Sequence, residues 1–197
     1  MIAIVQGCGT NIASIEFALE RLGKKAILTS NKKIITDSDY VILPGVNTAK
    51  QAMLSLEKLD LIKTICKLKQ PVLGICSGMQ ILFEHSEEGN VDCMGIFSQK
   101  MKSFSADIKL PIPHMGWNKL NIISSKSPII ENIENNAYVY FVHSYNAVVN
   151  DFTIAETIYG NAFSAIVQKN NFYGVQFHPE KSGKVGELLL KNFLNLK

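Results

Sequence analysis

The chain has 197 residues, 47% hydrophobic and 19% charged, with a formal net charge of +3. That length suits one domain with a sizeable core, 1–197, and the composition excludes a disordered or fibrous chain. No run approaches the ~20 apolar residues of a membrane span, and Arg21 is the sole arginine, so neither a membrane nor a nucleic acid is expected as a partner.

The N-terminal run Met1-Ile-Ala-Ile-Val-Gln6 reads as a strand over 2–6. It lacks the basic start and small-residue cleavage site of a signal peptide, which points to the cytoplasm. A turn, Gly7-Cys8-Gly9, follows. Asn11 is placed to cap a helix whose stripe is Ile12, Ile15, Leu19 and Leu22, stopped by Gly23. Residues 25–29 and 40–43 read as strands, the second ending at Pro44-Gly45. A long helical stretch is expected next, with Ala52, Met53, Leu56, Leu59, Ile62 and Cys66 at helical spacing. Strands alternating with helices imply a central, mostly parallel sheet flanked by helices. From about residue 96 the pattern changes to short strand-like runs, at 138–142, 153–157, 163–167 and 172–177. These imply additional short antiparallel strands in the second half. An amphipathic helix with Val185, Leu188, Leu189 and Phe193 on one face closes the chain.

The centre of this pattern is Pro71-Val-Leu-Gly-Ile-Cys-Ser-Gly-Met-Gln80, a buried strand running into a sharp turn and a helix. The arrangement G-x-C-x-G matches a nucleophile elbow with Cys76 at the turn. Gly74 and Gly78 let strand and helix approach closely. A helix N-terminus at Cys76 favours thiolate, and the Ser77 N–H would point at an oxyanion. A buried structural cysteine is the competing reading of the same residues. Cys8, Cys66 and Cys93 form no C-x-x-C pair, so reduced thiols and no metal site are expected.

A thiol nucleophile needs a base, and the base an orienting group. Of four histidines, His85 follows the elbow helix among charges and reads as surface. His114 lies in Pro113-His-Met-Gly-Trp-Asn118 and His143 in Tyr140-Phe-Val-His-Ser-Tyr145. His178 ends an apolar strand and is followed by Pro179 and Glu180. In an extended chain Glu180 lies on the same side as His178, a base with a carboxylate beside it.

The order Pro44-Gly-Val, Gly74-Ile-Cys-Ser-Gly-Met-Gln80, His178-Pro-Glu180 resembles the class I (triad) glutamine amidotransferases. The finer resemblance, carried mainly by PHMGWN and YFVHSY, is to the glutaminase subunits of imidazole glycerol phosphate synthases. The resemblance implies a catalytic triad of Cys76, His178 and Glu180. It implies an oxyanion hole from the backbone of Ser77 and of the segment containing Val46 and Asn47, and glutamine binding by Gly45, Gln80, Ser144 and Tyr145. It also implies a heterodimer with a cyclase subunit of (β/α)8 barrel fold, which receives ammonia and makes imidazole glycerol phosphate and an aminoimidazole carboxamide ribotide. PHMGWN is then a docking loop, with Trp117, Asn118, Tyr140 and Lys181 at the interface, and no cofactor or metal is needed. Three positions depart from the pattern. Gln6-Gly-Cys-Gly-Thr-Asn11 replaces an Asp-Tyr-Gly start, Ser77 replaces Leu, and Asn47 replaces a Gly in a segment expected to flip. Asn tolerates the left-handed region better than most residues, so Asn47 is expected to keep that switch at some cost. A glutaminase of the same fold serving another synthase, a duplicated copy for surface-sugar modification or one for pyridoxal phosphate synthesis, would share the triad. An α/β-hydrolase would need its acid between nucleophile and His. A dead interaction module would have no reason to keep all three groups.

Overall fold

The computed structural model describes residues 1–8, 12–105 and 107–196. The Asn11 cap and Gly9 lie outside the described residues. In chain order the elements are β1 (Ile2–Val5), α1 (Ile12–Arg21), β2 (Ala26–Thr29), α2 (Lys32–Asp37), β3 (Tyr40–Leu43), α3 (Ala49–Lys58), α4 (Ile62–Cys66), β4 (Val72–Ile75) and α5 (Ser77–Gln80). There follow β5 (Phe83–Ser86), β6 (Val91–Asp92), β7 (Phe97–Ser103), β8 (His114–Lys119), β9 (Asn121–Ile122), β10 (Tyr138–His143), β11 (Tyr145–Ala147), β12 (Thr153–Tyr159), β13 (Asn161–Lys169), β14 (Phe172–Val175) and α6 (Gly183–Phe193).

The central sheet has the order β2-β1-β3-β4-β14-β13-β12-β9. Its first five strands are parallel, and β13, β12 and β9 extend it antiparallel. β1 is buried along its whole length because both faces of the sheet are covered. Ile2 and Ile4 pack with Ile15, Leu19, Leu189 and Phe193 of α1 and α6. Ala3 and Val5 pack on the other side with Ile35, Met53 and Leu56 of α2 and α3. The expected α/β architecture therefore holds. Two smaller sheets stand beside it, the ribbon β10-β8 and the sheet β11-β7-β5-β6.

Several local readings change. The long helix over 49–66 is two helices. Asp60 takes φ +52 and Leu61 donates to the Leu56 carbonyl at 3.0 Å, which closes α3 although the apolar stripe runs on. The helix after Cys76 is a single turn, because Phe83 already enters β5. His85 accordingly lies on β5, its Nδ1 2.9 Å from Asp92 Oδ1. Helix α2 went unread, although Asn31 caps it by accepting the N–H groups of Lys33 and Ile34. The PHMGWN stretch is no loop: residues 114–119 are strand β8, paired antiparallel with β10.

Candidate functional site

The site is built where two parallel strands end. β14 pairs with β4 so that Val175 lies beside Ile75. The next residue of one strand is Cys76, and three residues beyond the other is His178. The Cys76 N–H donates to the Val175 carbonyl at 2.8 Å and ties the two ends together. Open α/β sheets place their ligands at such carboxyl ends.

Cys76 sits at φ +53, ψ −114, an uncommon conformation for a residue with a side chain. Close packing holds it there. A Cβ on Gly78 would lie 2.0 Å from the Leu43 carbonyl oxygen, and one on Gly74 would lie 2.5 Å from that of Gly78. Only hydrogens fit at these positions, so the turn can press against β3 and leave the thiol at its crest. Gln176 Nε2 lies 3.8 Å from Cys76 Sγ and donates to it.

The His178 imidazole lies between the Cys76 side chain, beside it in the cleft, and Glu180, with Nδ1 2.8 Å from Glu180 Oε1. His178 and Glu180 have almost no exposed side-chain surface. Burial is the largest influence on His178 and disfavours its charge. The Cys76 and Glu180 partners together outweigh it and raise the imidazole to about 10. The structure thus brings the Cys76, His178 and Glu180 side chains together, all buried.

A cleft of about 260 Å³ opens over Cys76. Val46, Asn47, Ser77, Gln80, Ser144, Tyr145 and His178 all line it. Gly45 does not. It packs under the elbow, where a Cβ would meet Gly78 N and Ser77 Oγ at 2.3 Å. Asn47 keeps φ outside the left-handed region. Ser77 Oγ is buried without a hydrogen-bond partner among the described residues. Gln80 donates to the Tyr145 carbonyl and to Gln176 Oε1, both at 3.2 Å.

The sequence reading missed Glu88, the only carboxylate among the described lining residues. Its Oε2 accepts the Ala49 N–H at 2.7 Å, at the start of α3. Burial raises its pKa, against the lowering effect of that bond. In the sequence it stands in the run Glu84-His-Ser-Glu-Glu88, which has the look of a solvated surface turn.

The four interface residues divide. Trp117 is 55% exposed and meets the Tyr140 ring edge-on at 5.9 Å, with Lys181 Nζ 5.9 Å over the same ring. Met115, 66% exposed, lies on the same side of β8. Asn118 is on the opposite side. Its Nδ2 donates to the Ile158 carbonyl at 3.0 Å and to His114 Nε2 at 3.3 Å. Cys8 is buried, which pushes its thiol up to about 12. No disulfide and no metal-binding cluster occurs among the described residues.

A doubly wound sheet with Cys, His and Glu at the ends of two parallel strands is the arrangement of a thiol amidohydrolase. The chain matches the family model "Glutamine amidotransferase class-I" over residues 5–196 and belongs to that family. Within it, the chain is 47% identical over 196 residues to the imidazole glycerol phosphate synthase subunit HisH of Bacteroides fragilis (strain YCH46), covering 99% of each. It is 48% identical over 197 residues to the subunit of that name from Pasteurella multocida, covering 100% of this chain and 98% of that one. The fold is shared with PurLQS from Thermotoga maritima, with TM-score 0.76, 19% identity, and 98% and 97% of the two chains covered. It is also shared with the glutaminase domain of Trypanosoma brucei CTPS, with TM-score 0.67, 15% identity and coverage of 100% and 94%.

Proposed function

We propose that this chain is the glutaminase subunit of an imidazole glycerol phosphate synthase, working in histidine biosynthesis as one glutamine amidotransferase domain in the cytoplasm. The observation that carries the reading is the buried trio Cys76, His178 and Glu180 at the elbow, in a chain that aligns end to end with HisH subunits.

Cys76 Sγ attacks the side-chain amide carbon of glutamine after giving its proton to His178. The oxyanion is held by the backbone N–H of Ser77 and one from the Val46–Asn47 segment. His178 protonates the departing nitrogen, which leaves as ammonia. It then takes a proton from water, which attacks the thioester and releases glutamate. Glu180 accepts from His178 Nδ1 and fixes its orientation. Gln80, Ser144 and Tyr145 hold the substrate. Glu88, the one negative group among the described lining residues, suits the substrate's α-ammonium.

Ammonia then passes to a cyclase subunit of (β/α)8 fold, docked on the face that carries Trp117, Tyr140 and Lys181. There it is used to make imidazole glycerol phosphate and aminoimidazole carboxamide ribotide. No helix of the described residues is long and apolar enough to cross a membrane. The test is to copurify the chain with its partner and assay glutamine hydrolysis with and without the partner's nucleotide ligand. Partner- and ligand-dependent activity is the expected result. A fast, partner-independent glutaminase would overturn the subunit reading.

A further inference from the structure

Two buried histidines take no part in the chemistry above. The register of β8 and β10 sets His114 directly opposite His143, both on the inner face of the ribbon. His114 Nδ1 lies 3.0 Å from His143 Nε2. His143 Nδ1 lies 2.8 Å from the Tyr145 carbonyl oxygen, and His114 Nε2 lies 3.3 Å from Asn118 Nδ2.

Elimination assigns every proton along these contacts. A carbonyl only accepts, so His143 Nδ1 must carry hydrogen. In the neutral ring His143 Nε2 is then an acceptor, and only His114 Nδ1–H faces it. His114 Nε2 is left to accept from the Asn118 amide. The hydrogen bonds therefore run one way, Asn118 to His114 to His143 to Tyr145.

Such a relay requires both rings neutral, and the surroundings enforce that. His114 is stacked 4.0 Å from Tyr159 and 4.8 Å from Phe141. His143 packs 4.9 Å from Phe163 and 5.2 Å from Phe104. Burial lowers His114 to about 4 and His143 to about 3; for His143 the bond to the Tyr145 carbonyl opposes that effect, and a charge on His114 or His178 would add to it.

The relay ends on the rim of the cleft. The Tyr145 carbonyl accepts from Gln80 as well as from His143, and the Ser144 carbonyl accepts the Phe104 N–H at 3.2 Å. A hydrophobic pair would fill this space without the cost of desolvating two imidazoles. We propose that His114 and His143 are positioning residues for the substrate, a one-way hydrogen-bond relay that fixes the Ser144–Tyr145 rim and Gln80 in the geometry that binds glutamine. This rests on the cleft being the glutamine site.

The test is kinetic, on the complex with the partner subunit. His143→Asn keeps a donor where Nδ1 stood, and His143→Leu removes it at similar bulk. His114→Asn keeps the donor toward His143, and His114→Leu removes it. Both leucine variants should raise the glutamine KM by about tenfold, with a smaller change in kcat. Both asparagine variants should recover most of that loss. KM values that stay at the wild-type level in the leucine variants would overturn the proposal. So would equal rises for Asn and Leu that follow their loss of Tm, since a merely structural pair behaves that way. Should the leucine variants fail to fold, ¹⁵N NMR of the wild-type complex decides. His143 protonated on Nδ1 and His114 on Nδ1 at neutral pH is expected, and the opposite tautomer on either ring overturns it. Wild-type complex without glutaminase activity would instead sink the glutamine reading, whatever the tautomers.

Discussion

The carbonyl oxygen of Tyr140 accepts the backbone N–H of His178 at 2.9 Å. Tyr140's own N–H is bonded to Ser182 Oγ at 3.0 Å, and that hydroxyl donates to the His178 carbonyl at 2.7 Å. The strand whose outer face carries the Tyr140 ring thus holds the backbone of His178. Trp117 lies directly across from Tyr140 in the ribbon. An exposed aromatic of this kind is a favoured interface anchor. Trp117→Ala should weaken the complex by about 2 kcal/mol, or about thirtyfold in Kd. Calorimetry against the partner checks this, and unchanged affinity would remove Trp117 from the interface.

Cys76→Ser replaces the thiol by a weaker nucleophile on an unchanged elbow. Glutamine-dependent synthesis should fall by about a thousandfold or more. Synthesis from added ammonium salt should persist, because the partner's site is untouched. Glutamine hydrolysis near the wild-type rate in this variant would refute the role of Cys76.

The elbow, the H-P-E tripeptide and the alternating strands were legible because each is local: glycine spacing, an apolar run and a carboxylate two residues from an imidazole. What was hidden depends on register. Nothing in the sequence sets His114 opposite His143, since that pairing comes from how β8 meets β10. PHMGWN reads as a docking loop from the family resemblance alone, yet its alternation of buried His114 and exposed Met115 and Trp117 is a strand period. The same alternation sends Asn118 inward, away from the face assigned to it. Glu88 was invisible because a tight turn after β5, not a helix or strand period, carries it to the cleft.

Gly78→Ala tests the packing that exposes Cys76. The new Cβ would meet the Leu43 carbonyl oxygen at 2.0 Å and the Pro44 carbonyl at 3.0 Å, both backbone atoms that cannot rotate aside. The elbow must shift away from β3, at a cost of about 3 kcal/mol or more. Denaturant unfolding should show that loss, together with a fall in glutaminase activity as the Ser77 N–H moves. A variant as stable as wild type would show that the turn is not held by this contact.

Ser77→Ala should act in the opposite direction. The Ser77 hydroxyl is buried with no hydrogen-bond partner among the described residues and is pressed against Gly45. Its removal deletes an unmet polar group and should stabilise the chain by about 1 kcal/mol. Thermal unfolding measures this directly. A lower Tm would mean that the hydroxyl has a partner in solution.

The pH dependence of stability follows from three histidines with opposite shifts. His178 is raised to about 10 in the folded chain, against about 6.5 when unfolded. The folded state therefore holds the extra proton between these values. Its contribution is fully present below pH ~6.5 and is lost as pH rises toward about 10. His114 and His143 are lowered to about 4 and about 3. The unfolded chain takes up their protons first, so stability is present above pH ~6.5 and is lost as pH falls toward those values. Stability should peak near neutrality and decline on both sides. The alkaline side has a specific control, because the Cys76 side chain is the stronger of the two partners that raise His178. In Cys76→Ala the loss should still begin near pH ~6.5 but end at a lower pH, so the total loss of stability above neutral pH is smaller. Urea unfolding of both proteins from pH 5 to pH 10 makes the comparison. Parallel curves above pH 7 would show that the Cys76–His178 contact does not hold the imidazole charged.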